Sequence, residues 1–515
     1  MNASAMHTRI VRDTYFDSLL LLVATQVMSD LPEVEWAGAV MATPAGKEQL
    51  AQDGFGPELL AGAGASDLVL AVRIGDEEAA ERVLDAGIAA TAAEREADGG
   101  GTTAAAVPRT LGEAADSLTS ASVAIVSVPG NYAALETHHA LTAGLHVLLF
   151  SDNVPLAEEV ELKQRANELG LLVMGPGAGT SILSGVGLGF ANVVRRGPVG
   201  VIAAAGTGAQ EVSALLDRWG VGVSHVIGVG GRDLSKTVQG RTTKAAIRAL
   251  QADPDTTVIL LVSKPPDEDV ARDVLALCDT TPTVVTFLGL SDLATPANIH
   301  LTATLEAGAK EATRQAGMTP PDTTAGLRAG VEAAAAKLGA DRRFVRGYFS
   351  GGTLCYEAQL LISEHLGDVY SNEPLNHDHG MPAPSDAHIL LDLGAEEYTH
   401  GKPHPMIDPS ARLDMMRAEA RADPVAAVLI DVVLGHGSHD DPAGELAAVC
   451  EDIMANGGPQ VVAYVLGTDN DPQDYARQRR ILEDAGCLVT DTAARAALAA
   501  AAIAGRRPDL VEEGS

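Results

Sequence analysis

The chain repeats itself. Residues 197–290 and 344–490 share one order of elements. Each opens with a short strand and a small-residue turn, VGVIAAAGTGAQEV at 199–212 and RGYFSGGTLCYEAQ at 346–359. Each then runs a helix that stops near a glycine, Gly220 or Gly367. Each later starts an apolar strand behind an acidic-Pro pair, ADPDTTVILLVSKPP from 252 and ADPVAAVLIDVVLGH from 422. Strand–turn–helix units in series fold as parallel sheets covered by helices. A Gly-rich turn at such a junction presents a helix N-terminus, which suits an anion.

The offset between copies changes along the chain. Gly352 minus Gly206 is 146, and Asp423 minus Asp253 is 170. The second copy therefore carries about 24 extra residues, near 371–404. An insertion of this kind is expected to form loops.

At 515 residues the chain is too long for one core. Aromatics are only 3%, so Ala, Val, Leu and Ile must build the interior, as parallel sheets allow. The net charge of −33 argues against nucleic acid and anionic membranes as partners. It leaves small anionic substrates open, because backbone amides bind anions without lysine. The four cysteines, Cys278, Cys355, Cys450 and Cys487, have no CxxC spacing and fit reduced thiols of a cytoplasmic protein. No segment reads as a signal peptide or membrane span.

Four regions are expected: a small α/β unit over 1–95, a Rossmann-like unit over 105–192, and the two copies over 197–335 and 341–510. The first reads β-α-β-α-β-α, either a ferredoxin-like sandwich or a small parallel unit. Residues 93–107 read as a linker, 311–340 as a helical connector, and the tail DLVEEGS as frayed.

The turns carry a family resemblance. SGGTLCYEAQ at 350–359, MGPGAG at 174–179, GVGGRDLS at 228–235 and SVPGNYAALE at 127–136 resemble, in order, turns of the succinyl-CoA synthetase α-subunit. With two ligase-type copies and DVVLGHGSHDDPAG at 431–444, the chain is similar to the FdrA family over nearly its whole length. The resemblance implies several doubly wound domains, a Rossmann-like CoA-binding-type domain and two flavodoxin-like ligase domains. It implies a subunit of a hetero-oligomeric enzyme, for acyl-CoA synthesis or carbamoyl transfer between oxamate and carbamoyl phosphate; the alternative is a non-catalytic scaffold or regulatory subunit with vestigial sites. Carbamoyl phosphate would then be a substrate, with CoA possible. The sequence departs from the resembled synthetase in three ways. His300 stands in NIHLTATLEAGA without the glycines of the phosphohistidine loop. The Gly-rich CoA loop near the N-terminus is missing, and this chain shows no ATP-grasp domain.

The resemblance also suggests that both helix N-termini aim at one phosphoryl group. Gly206, Gly208, Gly351 and Gly352 are then expected to bind phosphate, and Thr207, Glu211, Thr353 and Glu357 to be catalytic. The alternative is that the turns merely let helices pack on the sheet. Arg232, His436 and His439 are expected as substrate contacts. Seven of the 14 histidines lie between 377 and 439: His377, His379, His388, His400, His404, His436 and His439. Neither close pair has the spacing of a zinc motif, so no metal is expected. Cys355, at a helix start, is a weaker nucleophile candidate, His300 reads as a strand-end residue, and Lys264 reads as a surface ion-pair partner.

Overall fold

The computed structural model describes all residues except 1–4, 13, 15, 17, 98–107, 119, 291–292, 400–402, 420–423 and 514–515. His400 and Asp423 thus lie outside the described residues. The chain divides into two units, Met1–Val107 and Pro108–Ser515.

The first unit runs β1 (Ala5–Val11), α1 (Ser18–Ser29), β2 (Val34–Met41), α2 (Pro44–Gln52), β3 (Leu68–Ile74) and α3 (Glu77–Ala97). β3, LVLAVRI, is apolar on both sides and takes the centre, in the order β1-β3-β2. Both neighbours run antiparallel to it. This antiparallel arrangement is the ferredoxin-like alternative and excludes the small parallel one. Each face of the sheet has its own apolar cluster. Met28 and Leu84 lie in one, Leu50 and Phe55 in the other.

The second unit starts with α4 (Leu111–Ser117), β4 (Val123–Val126), α5 (Gly130–Thr142), β5 (His146–Leu149), α6 (Leu156–Leu169) and β6 (Val173–Met174). The three strands form a parallel sheet. Next come β7 (Thr180–Leu183), β8 (Val186–Gly189), β9 (Arg196–Ala204), α7 (Gly206–Arg218), β10 (Val223–Gly228), α8 (Arg241–Ala252), β11 (Val258–Ser263), α9 (Glu268–Leu275), β12 (Thr283–Phe287), β13 (Ile299–Thr302), α10 (Leu305–Gln315) and α11 (Leu327–Lys337). β9 to β13 form a parallel sheet in the order β13-β12-β11-β9-β10. The hairpin β7–β8 adds antiparallel beside β10, so the expected boundary at 192 falls beyond strands that belong to this sheet.

The second copy runs β14 (Phe344–Phe349), α12 (Gly352–Leu366), β15 (Val369–Tyr370), β16 (His388–Asp392), α13 (Glu396–Thr399), α14 (Ser410–Glu419), β17 (Val425–Val433), α15 (Pro442–Met454), β18 (Gln460–Leu466), α16 (Tyr475–Asp484), β19 (Leu488–Thr490) and α17 (Ala493–Gly505). Its six strands are all parallel, in the order β15-β16-β14-β17-β18-β19. In both copies the first strand sits inside the sheet and the order reverses there, the doubly wound pattern that opens a crevice at the strand ends. The extra stretch near 371–404 is not all loop. It holds β16, the counterpart of β10, beside an added edge strand, β15.

The copies cross over one another. Residues 493–504 of α17 are all buried, and their alanines let the helix nest in a core shared by both copies. Glu211 on α7 accepts from Ala493 N at the start of α17, and Glu357 on α12 accepts from Leu305 N at the start of α10. Each copy's first helix thus caps a late helix of the other copy. The tail is docked rather than frayed: Leu510 and Val511 are buried, and Arg495 donates to their neighbourhood at Val511 O and Glu513 O.

Candidate functional site

A cavity of about 610 Å³ lies where the carboxyl ends of all three sheets of the second unit converge. The three-stranded sheet contributes Phe150, Asp152 and Gly177. The first copy contributes Gly206, Thr207, Gln210, Gly230, Gly231 and Lys264; the second contributes Ser350, Gly352, Thr353, Asp392 and His404. Carboxyl ends of strands at an order reversal are where such sheets bind ligands.

The two Gly-rich turns meet here but are not equivalent. Thr353 N donates to Thr207 Oγ1 at 3.2 Å, joining the first turns of α7 and α12. No side chain caps the start of α7, whose first-turn amides have no partner within the helix. A Cβ at Gly206 would meet nothing within 4 Å. No side chain caps the start of α12 either, but carboxylates crowd it and bind the backbone just ahead of it. Asp431, buried, accepts from Ser350 N and Gly351 N, both at 2.8 Å, and pairs with Arg412 at 3.3 Å. A Cβ at Gly352 would run into Asp392 Oδ2. Gly208 and Gly351 stand outside the cavity lining and instead let the turns touch, against Thr353 and Thr207 respectively. The open anion seat is therefore the first turn.

Several expected site residues lie elsewhere. Glu211 and Glu357 are fully buried between helices, away from the cavity lining. Burial pushes Glu211 up to about 7, against its hydrogen bond from the Tyr464 hydroxyl. Burial pushes Glu357 up to about 8. They are helix caps, not catalytic acids. Arg232 donates to Glu159 Oε2 at 2.9 Å and to Val154 O at 2.7 Å, in a cluster with the buried Lys163 and Asp233. That engagement replaces the expected substrate contact. His436 bridges backbone to Ala191, and His439 accepts from Asp441 N; neither lines the cavity. Cys355 is fully buried and held well above the usual thiol range by burial and by Asp392, so it is no thiolate. His300 sits on the edge strand β13 beside Gln315 and Glu311.

Others enter the cavity that sequence reading passed over. Lys264, at the end of β11, lines it with its ammonium over the Tyr356 ring, 5.3 Å from the centroid, rather than pairing on the surface. Asp392 is 7% exposed; burial pushes its carboxyl up to about 6, with Lys264 pulling the other way. Burial holds His404 down near 4, so its ring is neutral. His404 Nδ1 accepts from Met406 N at 3.2 Å, which puts the ring proton on Nε2. His404 therefore offers an Nε2–H donor beside Gly394 in the cavity lining. The histidine cluster marked this region, and Lys264 had no local signal beyond its strand end.

Three parallel-sheet modules with strand ends around one anion-suited cavity define a CoA-ligase-like, succinyl-CoA-synthetase-α-like α/β protein. The family model described as CoA-ligase matches residues 348–503, and the one described as AllF, heavy metal-associated domain, matches residues 2–108. The uncharacterized protein YahF of Escherichia coli is 37% identical over 507 residues, 95% of this chain and 96% of that one. The chain belongs to this FdrA-type family. The ADP-forming sulfoacetate–CoA ligase subunit SauD of Bilophila wadsworthia is 29% identical over 33% of this chain and 59% of its own length. The ADP-forming succinate–CoA ligase subunit alpha 2 of Archaeoglobus fulgidus is 26% identical over 30% of this chain and 55% of its own. The chain thus spans a little over half the length of these two relatives.

Two groups implied by these likenesses can be tested against the residues. The stretch matched by the heavy metal-associated model contains none of the four cysteines. Among the described residues no group of three or more His, Cys, Asp or Glu is placed to hold a metal. The donor set does not fit a soft metal. For the CoA diphosphate, the turns of the three-stranded sheet reach the cavity but carry a carboxylate. A Cβ at Gly130 would meet the backbone of Asp152 and Asn153, and one at Gly177 would meet the Asp152 carboxylate. A carboxylate at that turn repels a diphosphate.

Proposed function

We propose that this chain is the cavity-bearing subunit of a transferase that uses an acyl or carbamoyl phosphate. The reaction we assign is carbamoyl transfer between carbamoyl phosphate and oxamate, a step of purine nitrogen breakdown, carried out together with other subunits. The observation that carries this reading is the asymmetry of the two turns. One helix start is open, with uncapped amides beneath Gly206, and Lys264 lines the same cavity. The phosphoryl group would rest on those amides and on the Thr207 hydroxyl. The helix dipole would stabilise charge as phosphate leaves. His404 would donate Nε2–H to an anionic oxygen. The AllF likeness of the first unit and the subunit names of the relatives support a multisubunit enzyme.

Calorimetric titration of the purified chain with carbamoyl phosphate tests the seat. Binding that weakens at least tenfold in Thr207→Val supports it; equal binding by the variant rejects it. The match to the CoA-ligase model favours a second reading, acyl-CoA ligation with an ATP-grasp partner. It requires CoA binding and a phosphoenzyme. The histidine tautomer speaks against the latter, because His404 presents a protonated nitrogen and His300 lies outside the cavity.

A further inference from the structure

Asp392 closes β16 and is fixed from both sides. Asn372 accepts from Asp392 N and donates to Asp392 O, each at 2.9 Å. Asp392 Oδ1 accepts from Gly394 N at 3.0 Å. Oδ2 stands over Gly352 in the cavity lining and has no protein donor among the described residues. The residue is 7% exposed, and Oδ2 is the carboxylate oxygen left free to meet a ligand in the cavity. The charged groups acting on it are Lys264 in the cavity, and Asp431 and Glu373 behind it.

The nitrogen of an acceptor amide is a poor nucleophile, because its lone pair is conjugated with the carbonyl. It becomes competent only if its proton leaves as the new bond forms. We propose that Asp392 is the general base for that proton, with Lys264 holding the carboxylate of a 2-oxo acid amide acceptor. This rests on the transfer reading above. The amide nitrogen forms a bond to the carbamoyl carbon. The bond from that carbon to the phosphate oxygen breaks, phosphate leaves with that electron pair, and the nitrogen's proton passes to Asp392. In the reverse direction protonated Asp392 returns the proton to the departing amide as phosphate attacks. A bound anion favours the protonated carboxyl, which supplies the acid for the reverse step and raises the pH at which the base is free for the forward one.

The test uses the full chain assembled with its partner subunits, with phosphate release from carbamoyl phosphate plus oxamate as readout. Asp392→Asn keeps the shape over Gly352. We expect kcat to fall about 10²- to 10⁴-fold, with the Kd for inorganic phosphate within about threefold of wild type. The wild-type kcat should rise with pH about an inflection at or somewhat above 6, since the bound anions favour the protonated carboxyl, and the Asn variant should lack that limb. An Asn variant with more than about a tenth of wild-type kcat overturns the base. If that variant no longer binds phosphate, the wild-type profile decides: a kcat flat from about pH 5 to about pH 7.5 overturns the base. A wild-type complex that releases no phosphate overturns the transfer reading, and the base with it.

Discussion

Thr353 N donates to Thr207 Oγ1, and this single hydrogen bond ties together two helix starts that lie 146 residues apart in sequence. It explains why both turns are built of glycine. Gly208 gives way to Thr353 Cγ2, and Gly351 gives way to the Thr207 side chain. The duplicated turns are therefore an interface first. Only the side of the pair that faces the cavity is left for a ligand.

Because the turns differ in what stands over them, alanine should separate them. Gly206→Ala meets open space and should change stability by less than about 0.5 kcal/mol while weakening phosphate binding. Gly352→Ala collides with the Asp392 carboxylate and should cost about 1–3 kcal/mol and displace that group. Urea unfolding and phosphate titration of both variants check this. Equal unfolding midpoints would contradict it.

Lys163 and Arg232 should differ in what their loss costs. Lys163 has no exposed side-chain area and donates to Glu159 at 2.9 Å and to Asp233 at 2.7 Å. Lys163→Met removes the ammonium shared by two buried carboxylates, leaving Asp233 with hydrogen bonds from Thr242 and Thr243 but no cation, and should cost about 3 kcal/mol or more. Arg232 is about half exposed, and Arg232→Met should cost about 1 kcal/mol or less with no change in substrate KM. A raised KM in that variant would restore Arg232 to the substrate site.

The fold was legible because hydrophobic period and turn chemistry are local. The strand at 258–263, the Gly-rich turn at 206–208 and its counterpart at 351–353 could each be read from about ten residues. The meeting of the turns also followed, through the family resemblance. What did not follow depends on how the copies cross. Glu211 and Glu357 occupy matching positions, and that symmetry suggested matching catalytic roles. Their partners, Ala493 N and Leu305 N, lie at the far end of the opposite copy. Asp392 and Lys264 come from different sheets and become neighbours only when those sheets share a cavity. No spacing along the chain records that. Arg232 misled because a charged residue in a strand-end turn is as well placed to brace a neighbouring helix as to hold a substrate.

Lys264 is the one cationic side chain among the described residues lining the cavity. Lys264→Met should weaken carbamoyl phosphate or oxamate binding by about ten- to a hundredfold, the loss of one charge-assisted contact. Lys264 also holds the Asp392 carboxyl down against burial. Its removal should move the acidic limb of the kcat–pH profile upward. Kinetics of the assembled enzyme across pH read both effects. A weaker Kd with an unmoved limb would separate Lys264 from Asp392.

Glu357 should make the protein lose stability as pH rises. Its Oε1 accepts from Leu305 N at 2.6 Å, while its Oε2 is buried with no hydrogen-bond partner. Burial raises its folded pKa from an ordinary 4.5 to about 8, with Glu211 and Glu306 adding repulsion. Between those values the folded state holds a proton that the unfolded chain has released. The unfolding free energy therefore falls as pH rises through that window and levels off above about 8. The sign is opposite to that of a salt-bridged carboxylate, whose stability is lost on acidification. Glu357→Gln keeps the acceptor for Leu305 N and cannot ionise. At pH near 8 the variant should be more stable than wild type by about 1 kcal/mol or more, and at pH near 5 the two should be close. Glu211, raised to about 7, contributes a similar decline that the variant retains. Urea unfolding at the two pH values measures the difference. A wild type more stable at pH 8 than its Gln variant would mean that Glu357 is ionised and paired in the folded protein.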